Sequence, residues 1–523
     1  MKVLLIAPYV NLSFDWADFS ISKREDFYPS AALLHLAAIL RANDYEPVII
    51  DLNNSVVHSK KKKYLDYCKK IIIDSLNEHK PDLVGINCLF SGTFPDVLEF
   101  ARTVKSHAPD TKIAVGGIHA TSFPREILTN LHDIDYVAIG EGENAIVSLA
   151  ASIKAKNEKL LSSIKSFAYR DKDGVVRINR ERNFVEDLDA LPLPAWDLIK
   201  INKFEMNLDH YYNPPNLPIK YKAAVFSSRA CPLSCNFCDM FLIMGKKHRK
   251  KSAKTIVNEI EVLNKKYGIN YFSFMDDQLT LNRAHILDVC NGILKKGLKI
   301  IFDTPVGVWV NSLKEEVVAK MAEAGWVNVN LAIEHGDDYM RNKIIGKNLD
   351  RKKILEVSNL IKKYKIMSHG MYIMGFPEET NETLKSTYDM MNEMQHDTNV
   401  VQTLMPYPGT AVFRQIVKDK LLIDDWNLDE LYKTPISQAQ REFLIKPYNM
   451  SLDDLYKWRE KFDEIKVKYW KQNTKQPRKE LRKNFNYDNY GKVPRVSYVG
   501  RNKPGTIKKP GAIFESLDKK LET

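Results

Sequence analysis

The sequence predicts two α/β units in series: a Rossmann-like, doubly wound parallel sheet, then a partial (β/α)6 barrel, then a helical C-terminal region. Three observations predict it. Short apolar, β-rich runs alternate with helical stripes over the first 150 residues or so, and a second set of six strand–helix repeats runs from 221 to 425. Between them lies a connector whose prolines exclude helix. The expected organisation is a Rossmann-like cofactor domain at 1–155, a linker with a small hairpin at 156–220, the barrel at 221–425, a helical cap at 426–470, and a basic tail at 471–523.

In the first unit, strands are expected at Val3–Ala7, Val48–Asp51, Leu83–Asn87, Ile113–Val115 and Tyr136–Ile139. The helices between them are Ala31–Ala42, Tyr64–Glu78 and Asp96–His107; in the first, Leu33, Leu34, Leu36, Ala37 and Leu40 form the apolar stripe. Apolar strands alternating with helices argue for a parallel sheet covered on both faces, whose ligand sits beyond the carboxyl ends of the strands. The loops there carry Cys88-Leu-Phe-Ser-Gly-Thr93, Gly116-Gly-Ile-His-Ala-Thr121 and Gly140-Glu-Gly-Glu143. Paired glycines let backbone approach a large ligand closely. No Gly-x-Gly-x-x-Gly follows the first strand, which argues against a dinucleotide.

The connector opens with a hairpin over 159–183 turning at Asp171-Lys-Asp-Gly174, and continues through Leu191-Pro-Leu-Pro194, where two prolines impose an extended path. Barrel strands follow at Ala223–Ser227, Tyr271–Met275, Ile300–Asp303, Val327–Ile333, Met371–Met374 and Val400–Leu404. One helix is bracketed by Ser252 as N-cap and Gly268 as its stop. Another is expected to start on a capping box, Ser312-Leu-Lys-Glu315, and to end before Gly325. After 426, helices are read at Leu428–Tyr432 and Leu452–Tyr469, with Trp426, Tyr432 and Trp458 placed near the barrel mouth.

Composition bounds the function classes. The net charge of +12 looks like a nucleic-acid footprint, yet residues 466–523 hold sixteen Lys or Arg against five Asp or Glu, so the rest of the chain is nearly neutral. No nucleic-acid partner is therefore expected for the main body; the tail could touch an anionic membrane surface peripherally, or simply be solvated. No apolar run is long enough to span a bilayer, and the N-terminal Met-Lys-Val-Leu-Leu-Ile-Ala reads as a buried strand rather than a signal peptide. Six cysteines, three of them clustered, fit a reducing cytoplasm.

Those three, Cys231, Cys235 and Cys238, follow the first barrel strand with Cys-x3-Cys-x2-Cys spacing. Thiolates this dense favour a soft metal or an iron–sulfur cluster over a disulfide framework. A closed zinc site wants four ligands, and no fourth stands nearby; three thiolates on a 4Fe-4S cluster leave one iron open to an outside ligand. A cysteine-rich loop or a partial zinc knuckle is the alternative.

The other barrel strand ends carry Asp276-Asp277-Gln-Leu-Thr280, Pro305-Val-Gly-Val308, Glu334-His-Gly336, Gly375-Phe-Pro-Glu-Glu379 and Pro406-Tyr-Pro-Gly-Thr410. In this order, behind the cysteine triplet, they resemble the strand-end signatures of cobalamin-binding-domain-containing radical S-adenosylmethionine (SAM) enzymes. The Gly-Gly-x-His-x-Thr and Gly-Glu-Gly-Glu loops resemble that family's cobalamin domain, and the Leu-Pro-x-Pro stretch its connector.

The resemblance implies three cofactors. The 4Fe-4S cluster would rest on Cys231, Cys235 and Cys238; SAM would lie near Phe237, Asp276, Asp277, Glu334 and Gly375; cobalamin would lie near Ser91, Thr93, Gly116, Gly117, His119, Gly140, Glu141 and Gly142. The mutase signature Asp-x-His-x-x-Gly is absent, so cobalamin is expected without a protein histidine on cobalt, and His119 reads as a loop histidine bonded to its surroundings. The implied activity is methylation of an unactivated carbon through a 5′-deoxyadenosyl radical and methylcobalamin. Cyclisation or oxidative rearrangement without methyl transfer, as in an anaerobic tetrapyrrole cyclase, and a non-catalytic cobalamin or redox sensor are the alternatives. A small-molecule or lipid substrate and an external electron donor such as flavodoxin or ferredoxin are the implied partners.

Three departures from the family pattern carry structural questions. Tyr28-Pro-Ser-Ala-Ala-Leu33 stands where Pro-Pro-Leu-Gly-Leu is usual. Ala230 replaces the glycine before the first cysteine, so either it has ordinary φ or the loop is altered. His335 replaces a serine, and either faces the ligands or takes over a serine's capping bonds.

Overall fold

A computed structural model describes residues 1–9, 29–53, 61–205, 212–423, 431–432 and 443–473. Tyr28, Trp426, most of the short helix expected at Leu428–Tyr432, and the basic tail from 474 lie outside the described residues.

Seven strands build the first sheet: β1 (Lys2–Ala7), β2 (Glu46–Asp51), β3 (Leu83–Asn87), β4 (Lys112–Gly116), β5 (Tyr136–Ala138), β6 (Phe167–Arg170) and β7 (Val176–Asn179). Their order is β2-β1-β3-β4-β5-β6-β7. The first five are parallel, and β1 lies between β2 and β3, so the chain winds both ways from it. β6 and β7 are antiparallel additions. The expected hairpin thus belongs to the sheet itself. Its turn holds because the Asp171 carboxylate accepts the amides of Asp173 and Val175 at 3.0 and 2.9 Å, with Gly174 at φ +76°.

The second sheet is six-stranded, in simple sequential order: β8 (Lys222–Val225), β11 (Tyr271–Phe274), β12 (Ile301–Val308), β13 (Trp326–Glu334), β14 (Met367–Met374) and β15 (Thr398–Thr403). All neighbours are parallel. A two-residue antiparallel pair, β9 (Ser228–Arg229) with β10 (Arg249–Lys250), stands just beyond β8.

Strand alternation divides this sheet into two faces. Phe272, Phe274, Phe302, Val329, Leu331, Tyr372 and Val401 join the core under the helices, against Ile256, Ile286, Val317 and Ile354. The opposite, inner face is polar across two rows. Ser273, Asp303 and Asn328 are register neighbours in one, and Asn330, His369 and Thr398 in the next. The long C-terminal helix Leu452–Asn473 adds Leu455, Trp458, Phe462 and Ile465 to the helix-side core. Its Arg459 donates to the Val401 carbonyl at 3.2 Å and to Thr403.

Local signals explain the boundaries. Ser252 accepts the Thr255 amide at 3.2 Å and Gly268 closes the same helix at φ +67°. The Ser312–Glu315 capping box does not form. Ser312 belongs to a 3₁₀ turn and donates to the Trp309 carbonyl at 2.6 Å, so the helix Glu315–Ala324 starts on Lys314 with no side-chain cap. A capping box does form at Thr380 and Thr383.

Candidate active site

The cysteine loop leaves the end of β8 and is pinned from several sides. Asp276, 2% exposed, accepts from the Ser227 amide at 3.1 Å and from the hydroxyls of Ser227 and Ser228 at 2.7 and 2.6 Å. Asp277 accepts the Ala230 amide at 3.0 Å, and burial pushes its pKa up to about 6. The two acidic residues after β11 therefore brace the segment that enters the loop. Ala230 takes up φ +74°, the conformation glycine would adopt, and is fully buried. An L-residue there costs about 1–2 kcal/mol, which the Asp277 bond and the surrounding packing must offset.

Cys231, Cys235 and Cys238 are free thiols and half-buried. Burial raises all three, Cys235 to about 11. Lys347 opposes this at Cys231 and Cys235. The chain around Lys347 is stitched onto the loop: the Asn236 amide donates to the Ile345 carbonyl at 3.0 Å, and a Cβ on Gly346 (φ +80°) would stand 3.4 Å from the Ser234 carbonyl. Lys347 itself, almost fully buried, donates to Glu334 at 2.8 Å. Glu334 ends β13 at φ +70°. Neither Lys347 nor its pairing is visible in a strand-end motif; a lysine after glycine in a polar loop gives no signal by itself.

Two further strand ends are tied together behind Glu334. His335 is wholly buried; its Nδ1 accepts the Asp337 amide at 3.0 Å, so the proton sits on Nε2, which donates to Glu379 at 3.0 Å. Glu379 also accepts the Gly375 amide at 3.1 Å and the Thr383 hydroxyl at 2.6 Å. His335 thus does the capping work of a serine and, through Glu379, fixes the Gly375 loop. Phe237 packs edge-on to Phe376 with centroids 6.3 Å apart.

The carboxyl edge of the first sheet is built differently. Gly117 has φ +111°, and a Cβ there would meet the Cys88 carbonyl oxygen at 2.3 Å. Gly140 has φ +75° and donates its amide to Thr121 at 2.9 Å. His119, 1% exposed, lies between Phe94 and Phe123 with centroids 4.2 and 5.1 Å away, and its Nδ1 meets the Ser91 hydroxyl at 3.0 Å. Burial drives its pKa down to about 3, so the ring is neutral. Thr93 turns its hydroxyl to the Phe90 carbonyl at 2.8 Å. Gly116 accepts the Cys88 amide at 2.7 Å, and a Cβ on Gly142 would approach Leu36 to 3.3 Å. Leu89 and Phe90, at the tip of the loop after β3, are exposed by 40% and 42%.

Between the two edges lies a buried ionic joint. Arg249 donates to both Glu141 oxygens at 3.0 and 2.6 Å, and to the carbonyls of Val185 and Met244 at 2.6 and 2.9 Å. Arg229 donates to Glu143 at 2.6 Å and lies 3.4 Å from Glu141, which also accepts the Val185 amide at 2.7 Å. Sequence reading missed these arginines as site residues.

Comparison with known proteins agrees with this arrangement. Residues 19–150 match the family model for a B12 binding domain, and residues 225–391 that for the radical SAM superfamily. The chain thus pairs a B12 binding domain with a radical SAM domain. It is 27% identical over 423 residues to an uncharacterised methyltransferase of Pyrococcus horikoshii, covering 81% of this chain and 84% of that one. It is 26% identical to the cytidylyl-2-hydroxyethylphosphonate methyltransferase of Streptomyces wedmorensis, covering 84% and 85%. The anaerobic magnesium-protoporphyrin IX monomethyl ester cyclase of Rubrivivax gelatinosus is 25% identical over 82% of this chain and 72% of its own. Among solved structures, the radical SAM methyltransferase TsrM of Kitasatospora setae, with cobalamin and a [4Fe-4S] cluster bound, shares the fold: TM-score 0.63, 16% identity, 86% of this chain and 83% of that one.

A radical SAM enzyme of this family takes a 4Fe-4S cluster, SAM and cobalamin, and the residues present fit all three. Among the described residues, no three His, Cys, Asp or Glu converge as one metal ion requires. A four-iron cube instead places each thiolate on its own iron, and three free, half-buried thiols on one short loop, with the Lys347 charge favouring the thiolate at Cys231 and Cys235, suit that role. Exposed Leu89 and Phe90 beside Gly117, where no side chain fits, suit a broad, partly apolar ring system. His119 is buried and engaged with Ser91, which fits cobalamin carried without a histidine ligand.

Proposed function

We propose that the protein is a cobalamin-dependent radical SAM methyltransferase that alkylates an unactivated carbon of a small polar molecule. The observation that carries this is the joint: Arg229, two residues before Cys231, is gripped by the loop that follows β5 of the cobalamin-type sheet. Cluster loop and cobalamin edge are thereby held against one another. In the bound enzyme, the cluster and SAM supply a radical initiator and cobalamin supplies a methyl donor. The chain's own part is to bind, orient and keep water out. Cys231, Cys235 and Cys238 hold iron, with the Lys347 charge near the thiolates. Glu334, held by Lys347, together with Phe237 and Gly375, forms the SAM side; Asp276 and Asp277 support it through the loop backbone. Gly116, Gly117, Gly140 and Gly142 offer close backbone approach on the cobalamin side, with Ser91, Thr93 and His119 fixing the loops behind.

The inner face of the second sheet supports a polar substrate. Below the Ile373–Gln402 pair at the strand ends, Ala332, Met371 and Val400 form a small apolar row, and beneath it lie Asn330, His369 and Thr398. Lys222 and Asp303 pair at 3.1 Å, and burial lowers the His369 pKa to about 4, so this wall carries no net charge at neutral pH. Such a wall suits an apolar reacting carbon with a hydrogen-bonding end, and suits a hydrocarbon lipid poorly. An external one-electron donor of flavodoxin or ferredoxin type completes the reaction. Six free cysteines suit a reducing, cytoplasmic setting, and no helix of the described residues is long and apolar enough to cross a membrane.

The test is anaerobic reconstitution followed by incubation with methyl-deuterated SAM and the separated aqueous and chloroform phases of a cell extract. Label in an aqueous-phase product is expected. Labelled lipid would refute the polar-substrate reading. Deoxyadenosine with an unlabelled, altered product would favour cyclisation, and SAM left uncleaved under strong reductant would favour a sensor.

A further inference from the structure

The two units are joined by charge at a point where neither unit needs it for its own core. Glu141 and Glu143 follow β5 in the first sheet, and both are about 5% exposed. Arg229 and Arg249 are register partners across the β9–β10 pair. Two residues per strand make a ladder too short to be stable unaided. Nevertheless Cys231 hangs from it, separated only by Ala230, whose left-handed backbone gives the loop its turn.

The bonding around each arginine is close to complete. Arg249 spends its two terminal nitrogens on four acceptors, lies 5.1 Å over the Phe184 ring, and meets Glu141 in a two-point fork. Arg229 reaches Glu143 and Glu141. At Glu143, burial opposes ionisation, but the Arg229 charge outweighs it and holds the carboxyl below its ordinary value. A buried ion pair adds little net stability over an apolar contact; a forked one fixes orientation.

We propose that Glu141 and Glu143 are positioning residues for the cysteine loop: the last loop of the cobalamin-type domain clamps the β9–β10 pair and so holds the iron site of its neighbour. This rests on the reading that Cys231, Cys235 and Cys238 hold iron. It assigns the two glutamates of the Gly-Glu-Gly-Glu stretch to the cluster side, where Gly140 also lies close to the Ile243 carbonyl.

The full-length chain and its Glu141→Gln, Glu143→Gln and Glu143→Asp variants should be reconstituted with iron and sulfide. Two quantities are then read: iron release to bathophenanthroline disulfonate, and the Kd for hydroxocobalamin from absorbance titration. Residues that support ligands from behind typically change metal retention by about 10–100-fold. The two glutamine variants should release iron about tenfold faster or more, with hydroxocobalamin Kd changed by less than about threefold and the aspartate variant partly restored. Iron release within about threefold of wild type in both glutamine variants overturns the proposal, as does a Kd weakened more than about threefold. If the glutamine variants do not fold, Arg249→Lys, which keeps charge but loses the fork, is read by the same two criteria. A wild-type chain that takes up no iron refutes the functional reading itself, and this inference with it.

Discussion

The carboxyl edges of the two sheets solve opposite problems. Apart from Glu141 and Glu143, which face the joint, the first is made of backbone and neutral side chains: Gly117 and Gly140 at positive φ, a neutral His119 between two phenylalanines, and exposed Leu89 and Phe90. The second is made of charges, each already paired: Glu334 with Lys347, Glu379 with His335, and Asp276 with two serines. A wide, weakly polar ligand is best met by shape, because backbone can approach it wherever Cβ atoms are missing. A small, highly charged assembly is best met by fixed counter-charges, because buried charge without a partner is expensive. The contrast predicts that each edge fails in its own way.

The largest separation comes from the triple variant Cys231→Ala/Cys235→Ala/Cys238→Ala. Iron should fall from ~4 per chain to near zero, while hydroxocobalamin binding persists; colorimetric iron with absorbance titration checks both. Loss of both cofactors would show that the edges are not independent. The mirror experiment is Gly117→Val. Its Cβ would stand 2.3 Å from a carbonyl oxygen in a left-handed conformation, so cobalamin binding should be lost with iron retained, at a stability cost of about 3 kcal/mol or more.

Lys347→Met should cost about 3–5 kcal/mol in denaturant unfolding of the apo chain, because Glu334 is left buried without its partner. The double variant Glu334→Gln/Lys347→Met should recover much of it. A single variant as stable as wild type would show that the charged edge is not built on pairing.

Acid should expose the neutral histidines. His119, His369 and His396 have folded pKa values lowered by burial to about 3, 4 and 4. Above pH ~6.5 each is neutral folded or unfolded, and stability is unaffected. Below it the unfolded chain binds protons that the folded chain refuses, so stability falls as pH falls, by up to ~2 kcal/mol per histidine at pH 5. His119→Gln should flatten that slope; an unchanged slope would remove His119 from the neutral edge. Smallest is Ala230→Gly. Relief of left-handed strain is offset by glycine's unfolded-state entropy, leaving a gain of about 1 kcal/mol or less in Tm-based stability.

Local chemistry was legible in the sequence, and long-range pairing was not. The helix Ala31–Ala42 and strand Leu83–Asn87 stand where periodicity puts them. β12 runs on to Val308, past the expected end at Asp303, because Pro305 and Gly307 read as a turn but are carried through shifts in register. Ser312 shows the limit of a four-residue signature, since a competing 3₁₀ turn claimed its hydroxyl. The cysteine triplet is readable because its ligands are neighbours in sequence. The Glu141–Arg249 fork joins residues 108 apart, and nothing local to either marks the other. Ala230 is intermediate: its departure from glycine is visible in sequence, but only the backbone shows that an alanine accepts the glycine conformation.

The β6–β7 hairpin has a consequence beyond widening the sheet. β7 ends at Asn179, and six residues later the Val185 amide and carbonyl bind Glu141 and Arg249 at the joint. On the way, Arg182 donates to the Leu242 carbonyl and Phe184 presents its ring face to Arg249. The hairpin therefore acts as a ruler. One residue gained or lost between its turn and Val185 would shift the strand by about 3.3 Å and turn its side chains to the wrong face. Length in this segment, more than the identity of its surface residues, is what natural variation should leave alone.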